Sequence, residues 1–214
     1  QTATICSGEA FTISPTNNPT LTIVPSGTTY TWTVVSNANV TGESNQSTGQ
    51  SSISQTLTNT TNAVQTVVYT VTPTSGDAGN CVGTNFTVTV TVNPIATIAN
   101  KTVSTCSGTG FTLTPSNAGG DIVPSGTNYA WSTPVVTGSL SGGISATGQS
   151  SIAGTLTNTT NIAQTATYTV TPRSGSCNGP TFTVVATINP RPVVPNQTAT
   201  ICSGEAFTIS PTNN

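Results

Sequence analysis

The side chains that could do chemistry are few: five cysteines, five carboxylic acids, three basic residues and no histidine in 214 residues. A nucleophile needs a neighbouring base, and histidine, the commonest base, is missing. No pair of acids recurs along the chain, as two-carboxylate glycoside hydrolysis would require. The acids are Glu9, Glu43, Asp77, Asp121 and Glu205. The sequence therefore predicts no catalytic site and no enzyme.

A resident metal or cofactor is not expected either. Zinc sites use closely spaced cysteines and histidines, whereas the cysteines here are far apart. Calcium sites need several clustered oxygen ligands, and we interpret Glu9 and Asp121 as isolated, solvated turn residues.

The cysteines are interpreted as structural. Each of two internal repeats carries two of them, and a fifth opens a third copy whose partner is expected beyond the given sequence. They are Cys6 and Cys81, Cys106 and Cys177, and Cys202. Paired cysteines in small β modules indicate an oxidising, extracellular compartment.

Two disulfide connectivities are open. The simpler one is intramodular, Cys6–Cys81 and Cys106–Cys177, and closing loops of about 70 residues would stabilise each module by roughly 4 kcal/mol. The alternative joins Cys6 to Cys177, because the first and last loops of an immunoglobulin-type sandwich lie at opposite ends. That bridge would tie the modules into a stapled rod. We take the intramodular pairing as the prediction.

Repeated segments define the organisation of the chain. CSGEAFTISP, from Cys6 to Pro15, returns as CSGTGFTLTP from Cys106 and unchanged from Cys202, and residues 197–214 repeat residues 1–18 without a change. The expected domains are repeat 1 at 1–94, repeat 2 at 95–190, and a linker with the first strands of a third repeat at 191–214.

Apolar residues alternate with threonine, which is typical of half-buried strands. In Phe86–Val92 the phenylalanine and valines share one face and the threonines the other. About seven short strands per repeat predict an all-β chain of tandem immunoglobulin-like β-sandwich modules stacked end to end. Six aromatic residues are expected in the cores: Tyr30, Trp32, Tyr69, Tyr129, Trp131 and Tyr168.

The low charge limits the partners. With three basic residues and a net charge of −2, the chain lacks the basic surface of a nucleic-acid binder. It has no apolar run of eighteen residues, so no direct membrane insertion is expected. The expected partners are neighbouring repeats of the same chain and external surfaces or polysaccharide.

The pattern CSG, Y-x-W, TLTNT, YTVTP, C-x-G and FTVTVTVNP resembles the PKD-like, immunoglobulin-like repeats of giant surface adhesins in gliding Bacteroidota. The resemblance covers both repeats and the start of the third. It implies type IX secretion, display at the cell surface and contact with motility or secretion machinery.

Three functions follow as hypotheses. The preferred one is a repeat segment of a filamentous adhesin for surface attachment and gliding, with proline-stiffened connectors. A carbohydrate-binding array of a secreted enzyme would require Trp32 and Trp131 to be exposed. A passive structural fibre would require contacts along exposed strand edges.

Overall fold

The computed structural model describes residues 1–18, 20–76 and 79–212, and these residues form strands, turns and loops without a helix. The chain divides into two compact units. The first comprises Gln1–Ile98, Pro115–Asn128 and Pro172–Pro180, and the second comprises Ala99–Thr114, Tyr129–Thr171 and Thr181–Asn214. The chain is all-β, with two tandem immunoglobulin-like sandwich domains, as the sequence predicts.

The first repeat is built from a five-stranded sheet in the order β1-β9-β8-β3-β5, with β2 paired to β6 and β4 to β7. Strand β1 runs parallel to β9, and the other pairs are antiparallel. The strands are β1 Thr2–Cys6, β2 Ala10–Ile13, β3 Thr29–Val34, β4 Val40–Thr41, β5 Gln46–Gln50, β6 Ile53–Thr56, β7 Thr58–Asn59, β8 Gln65–Thr74 and β9 Phe86–Asn93.

The second repeat has the same order, β10-β20-β18-β12-β15, with β13 and β19 added along β18. Its small sheets pair β11 with β16 and β14 with β17. The strands are β10 Lys101–Cys106, β11 Gly110–Leu113, β12 Asn128–Trp131, β13 Val135–Val136, β14 Leu140–Ser141, β15 Ala146–Gln149, β16 Ile152–Thr155, β17 Thr157–Asn158, β18 Gln164–Ser174, β19 Cys177–Asn178 and β20 Phe182–Asn189.

The core of the first repeat lies between the large sheet and the small ones. In β9 the three valines Val88, Val90 and Val92 are fully buried, which confirms the alternation seen in the sequence. From the other layer, Phe11 of β2 packs on Tyr69 of β8, with ring centroids 5.4 Å apart. Burial of this apolar face is the main force holding the layers together.

Residues 191–212 contain no strand, although the sequence predicts the first strands of a third repeat there. In the identical residues of the first repeat, β1 pairs with β9 and β2 with β6. Isolated strands leave their backbone groups without partners, and no strand of the described residues pairs with 191–212.

Candidate functional site

The site with the most specific chemistry is a disulfide within the first compact unit. It joins Cys6 to Cys177, with the Cα atoms 5.6 Å apart and 171 residues apart in sequence. Cys177 lies in β19, which forms a tight hairpin with the end of β18 around Gly175, and its side chain is almost fully buried. The bond connects a residue of repeat 1 with a residue of repeat 2.

The intramodular pairing, Cys6–Cys81 and Cys106–Cys177, is therefore wrong. Strand register gives the reason, because Cys6 lies opposite Asn93, the last residue of β9, whereas Cys81 precedes Phe86, the first. The eight residues of β9 span about 25 Å at ~3.3 Å each. A disulfide needs Cα atoms within about 7 Å, so two cysteines at opposite ends of this strand cannot meet.

A turn held by hydrogen bonds fixes the position of Cys6. The Glu9 backbone N–H donates to the Cys6 carbonyl oxygen at 3.0 Å, and the Glu9 carboxylate accepts from the Cys6 N–H at 3.0 Å. Gly8 takes a positive φ of 87°, a conformation that favours glycine. The buried Ser7 hydroxyl bonds both the N–H and the carbonyl oxygen of Asn59. Cys6 therefore sits at a rigid position on the sandwich.

The connector after β9 forms the rest of the site, again within the first unit. Thr97 and Ile122 exchange backbone hydrogen bonds of 2.9 and 2.8 Å. Ala96 is fully buried, and Gly179 lies so close to its carbonyl oxygen that a Cβ on Gly179 would collide with it. Two segments of repeat 2 thus cover the connector that follows repeat 1, beside the disulfide.

Three cysteines remain unpaired and exposed: Cys81, Cys106 and Cys202. Cys81 lies in a loop held to β8 by hydrogen bonds with Ser75. Cys106 ends β10 and stands opposite Asn189 of β20. Cys202 lies in the strand-free segment.

The structure buries all six of the aromatic residues expected in the cores. Their exposed fractions are 3% for Tyr30, 4% for Trp32, 0% for Tyr69, 1% for Tyr129, 7% for Trp131 and 1% for Tyr168. The indole N–H groups of Trp32 and Trp131 donate to the carbonyl oxygens of Ser44 and Ile144, both at 3.1 Å. The two tryptophans therefore do not form an exposed platform on which a sugar could stack.

Equivalent tyrosines differ between the repeats. The Tyr69 hydroxyl donates to Gln55 at 2.8 Å, whereas the buried Tyr168 hydroxyl has no partner because Gly154 replaces the glutamine. Burial raises the pKa of Tyr30 and Tyr168, and burial with the nearby Glu43 carboxylate raises that of Tyr69. These phenols stay neutral in the folded protein above the pH at which an exposed tyrosine ionises.

The acids are dispersed. The Glu43 carboxylate accepts hydrogen bonds from Ser36 and the Asn37 N–H, and Glu205 accepts from the Cys202 N–H. Asp121 is buried, so its interpretation as a solvated residue is wrong, and Asp77 lies outside the described residues. Within 1–18, 20–76 and 79–212, no three His, Cys, Asp or Glu residues cluster to hold a metal ion. The same ranges contain no helix long and apolar enough to cross a bilayer.

Sequence reasoning missed the contribution of the connector and of Gly179. Gly179 follows Cys177 by two residues, as Gly83 follows Cys81, so the C-x-G spacing is the signal that could have shown its importance. A glycine at the same position in both repeats is a signal for a close approach of two backbones, which the structure shows at Gly179.

Two sequence segments, residues 3–96 and 103–192, match the model of the PKD-like domain family. Together they include most of the chain, and the chain belongs to this family. Comparison with curated protein sequences gives no match. Repeats of this kind are typically non-catalytic, and a tandem array of them is consistent with a structural or adhesion-type segment that contacts neighbouring repeats or surfaces. With the disulfide, the fold indicates an extracellular protein.

The solved structures to which the chain is similar are distant. Three N-terminal domains of the outer capsid protein Hoc of bacteriophage RB49 align with a TM-score of 0.40 and 9% identity, over 91% of this chain and 68% of that one. The I67–I69 fragment of titin aligns with a TM-score of 0.32 and 10% identity, over 89% of this chain and 62% of that one. Immunoglobulin domains 1–5 of Sidekick-1 align with a TM-score of 0.31 and 12% identity, over 88% of this chain and 35% of that one. The chain thus spans about two thirds or less of these structures.

Proposed function

We propose that the chain is a non-catalytic, force-bearing segment of a long filamentous adhesin at the cell surface. Its repeats occupy residues 1–94 and 95–190, and residues 191–214 lead into a further repeat. The observation that carries the proposal is the disulfide between Cys6 and Cys177, since it joins consecutive repeats covalently. A tether under tension benefits from such a bond because it prevents the residues between the two cysteines from extending.

The low charge of the chain is consistent with a spacer outside the cell. Charged residues make up 4% of the chain, so long-range electrostatic attraction between copies or to charged partners is weak. The resemblance to repeats of giant adhesins in gliding Bacteroidota supports attachment and gliding motility as the process served. On this proposal the protein is exported by type IX secretion, contacts surfaces or polysaccharide, and is moved by the motility machinery.

Single-molecule stretching between the two termini tests the tether. With the disulfide intact, the 171-residue interval between the cysteines stays closed, and reduction releases it. At about 3.5 Å per residue the extended length grows by about 600 Å on reduction. The Cys6→Ser variant should show the long extension without reductant, and Cys106→Ser should behave as the unaltered chain.

An extended length that is unchanged by reduction would contradict the load-bearing role of the disulfide. A flow assay asks the separate question of adhesion. Beads coated with the chain are passed over glass and polysaccharide, with an inert protein as the control. Retention that is lost on reduction and heating would assign adhesion to these repeats. Retention equal to the control would restrict them to the spacer role within the adhesin.

A further inference from the structure

The junction formed in the first unit has two halves. One half, the socket, consists of Cys6 of repeat 1 and of Ala96 and Thr97 in the connector that follows this repeat. The other half, the plug, consists of Ile122 and the hairpin tip with Cys177 and Gly179, both from repeat 2. Each repeat carries the sequence of both halves, so each repeat has one half that this junction does not use.

The unused socket lies at Cys106 in the second unit. Its backbone hydrogen bonds reproduce those beside Cys6, although Thr109 stands where Glu9 supplies a carboxylate. The Ser107 and Gly108 N–H groups donate to the Asn189 and Leu156 carbonyl oxygens over 2.8 and 2.9 Å. The Ser7 and Gly8 N–H groups donate to the Asn93 and Leu57 carbonyl oxygens over 2.9 and 2.8 Å. The Ser107 hydroxyl donates to the Asn158 carbonyl oxygen and accepts from the Asn158 N–H, as the Ser7 hydroxyl does with Asn59. The corresponding distances agree within 0.1 Å.

Above this socket the protein is open. The connector groove, which we define by Ser107, Gly108, residues 157–161 and residues 190–193, has a volume of about 820 Å³. Val194 is 55% exposed, whereas the equivalent Ile98 is 7% exposed in the filled junction. Pro192, equivalent to the fully buried Ala96, is exposed as well. The connector beside Cys106 therefore lacks the cover that the equivalent connector has in the filled junction beside Cys6.

The unused plug lies at Cys81 in the first unit. Cys81 is exposed, whereas its equivalent Cys177 is bonded and buried. Ile23 is 82% exposed, whereas its equivalent Ile122 bonds the connector. Gly83 stands where Gly179 allows the close approach to Ala96. The chain thus carries one unoccupied socket, at Cys106, and one unused plug, at Cys81.

We propose that Cys106 with the connector groove is a docking site for a second copy of this chain, and that Cys81 of that copy occupies it. The contact is head to tail, so it propagates instead of closing. This inference goes beyond the tether function, since it concerns a contact between PKD-like repeats that could form whether or not the chain bears force.

Bond formation requires an oxidant, and a small disulfide such as oxidised glutathione suffices. The Cys81 thiolate attacks one sulfur of the oxidant, which forms a mixed disulfide and releases one glutathione thiol. The Cys106 thiolate then attacks the Cys81 sulfur and displaces the second glutathione as a thiolate. The two protein thiols lose two electrons and two protons, and one oxidised glutathione becomes two reduced ones.

Cys202 provides an internal control. It lies in the same local turn as Cys6, but residues 191–212 around it contain no strand and are exposed throughout. A ¹⁵N-labelled Cys81→Ser chain, with Cys106 and Cys202 available, is mixed in glutathione buffer with an unlabelled Cys106→Ser/Cys202→Ser chain that offers Cys81. Mass spectrometry of the non-reduced peptides then counts the two possible bonds. We expect at least tenfold more Cys106–Cys81 than Cys202–Cys81.

A second variant separates docking from thiol reactivity. Pro192 is exposed, so Pro192→Trp in the labelled chain fills the groove without disturbing a core. It should lower the Cys106–Cys81 yield severalfold and leave the reaction of Cys106 with glutathione unchanged. Equal yields at Cys106 and Cys202, no cross-link above the background of each chain alone, or an unchanged yield with Pro192→Trp would each overturn the proposal.

Discussion

The connector after repeat 1 and the connector after repeat 2 have related sequences and opposite environments. In the first, Ala96 is fully buried and Ile98 is 7% exposed. In the second, the equivalent Pro192 is exposed and Val194 is 55% exposed. The difference lies in what covers them, because segments of repeat 2 lie over the first connector. The connector after repeat 1 thus owes its burial to segments of the following repeat.

The largest expected effect is on the free energy of unfolding, when the cysteine beside each connector is replaced in turn. In Cys6→Ser, the unfolded chain regains the freedom that a 171-residue loop removes, and the free energy of unfolding of the first unit should fall by about 2–5 kcal/mol. Cys106→Ser removes an unbonded, exposed thiol and should change it by less than about 0.5 kcal/mol. Denaturant titration without reductant measures both, and equal midpoints would refute the comparison.

A methyl group at the close approach tests the connector contact itself. In Gly179→Ala the new Cβ meets the Ala96 carbonyl oxygen and the Pro172 ring, which should cost about 1–3 kcal/mol. Gly83→Ala is the matched control, since its Cβ meets the equivalent Pro73 ring and no connector. The difference between the two thermal unfolding midpoints reports the connector contact. Identical shifts would mean that the proline ring alone accounts for the strain.

The smallest effect concerns the two cores. Tyr69→Phe removes a 2.8 Å hydrogen bond to Gln55 and should lower stability by about 1 kcal/mol. Tyr168→Phe removes a buried hydroxyl without a partner and should leave stability unchanged or raise it by up to about 1 kcal/mol. Denaturant titration of the two variants gives the signs. A comparable loss at Tyr168 would show that its hydroxyl has a solvent partner in solution.

Most of the fold follows from the sequence, because alternating valine and threonine predict strands such as β9 and define their buried face. The disulfide pairing does not follow in the same way. It depends on β1 lying parallel to β9, which places Cys6 at the end of β9 far from Cys81. Local pattern does not encode which strand lies beside which, so the sequence alone does not exclude the simpler, intramodular pairing.

Residues 1–18 and 197–214 have identical sequences, so comparing them separates what local sequence determines from what tertiary structure adds. In both, the glutamate N–H donates to the cysteine carbonyl, at 3.0 Å in Cys6–Glu9 and 3.1 Å in Cys202–Glu205, and the glycine φ is 87° and 86°. Sequence alone determined this turn, since its hydrogen bonds lie within four residues. Only tertiary structure made strands of the flanking residues in repeat 1. There β9 and β6 satisfy their backbone groups, and residues 197–212 have no such partner among the described strands.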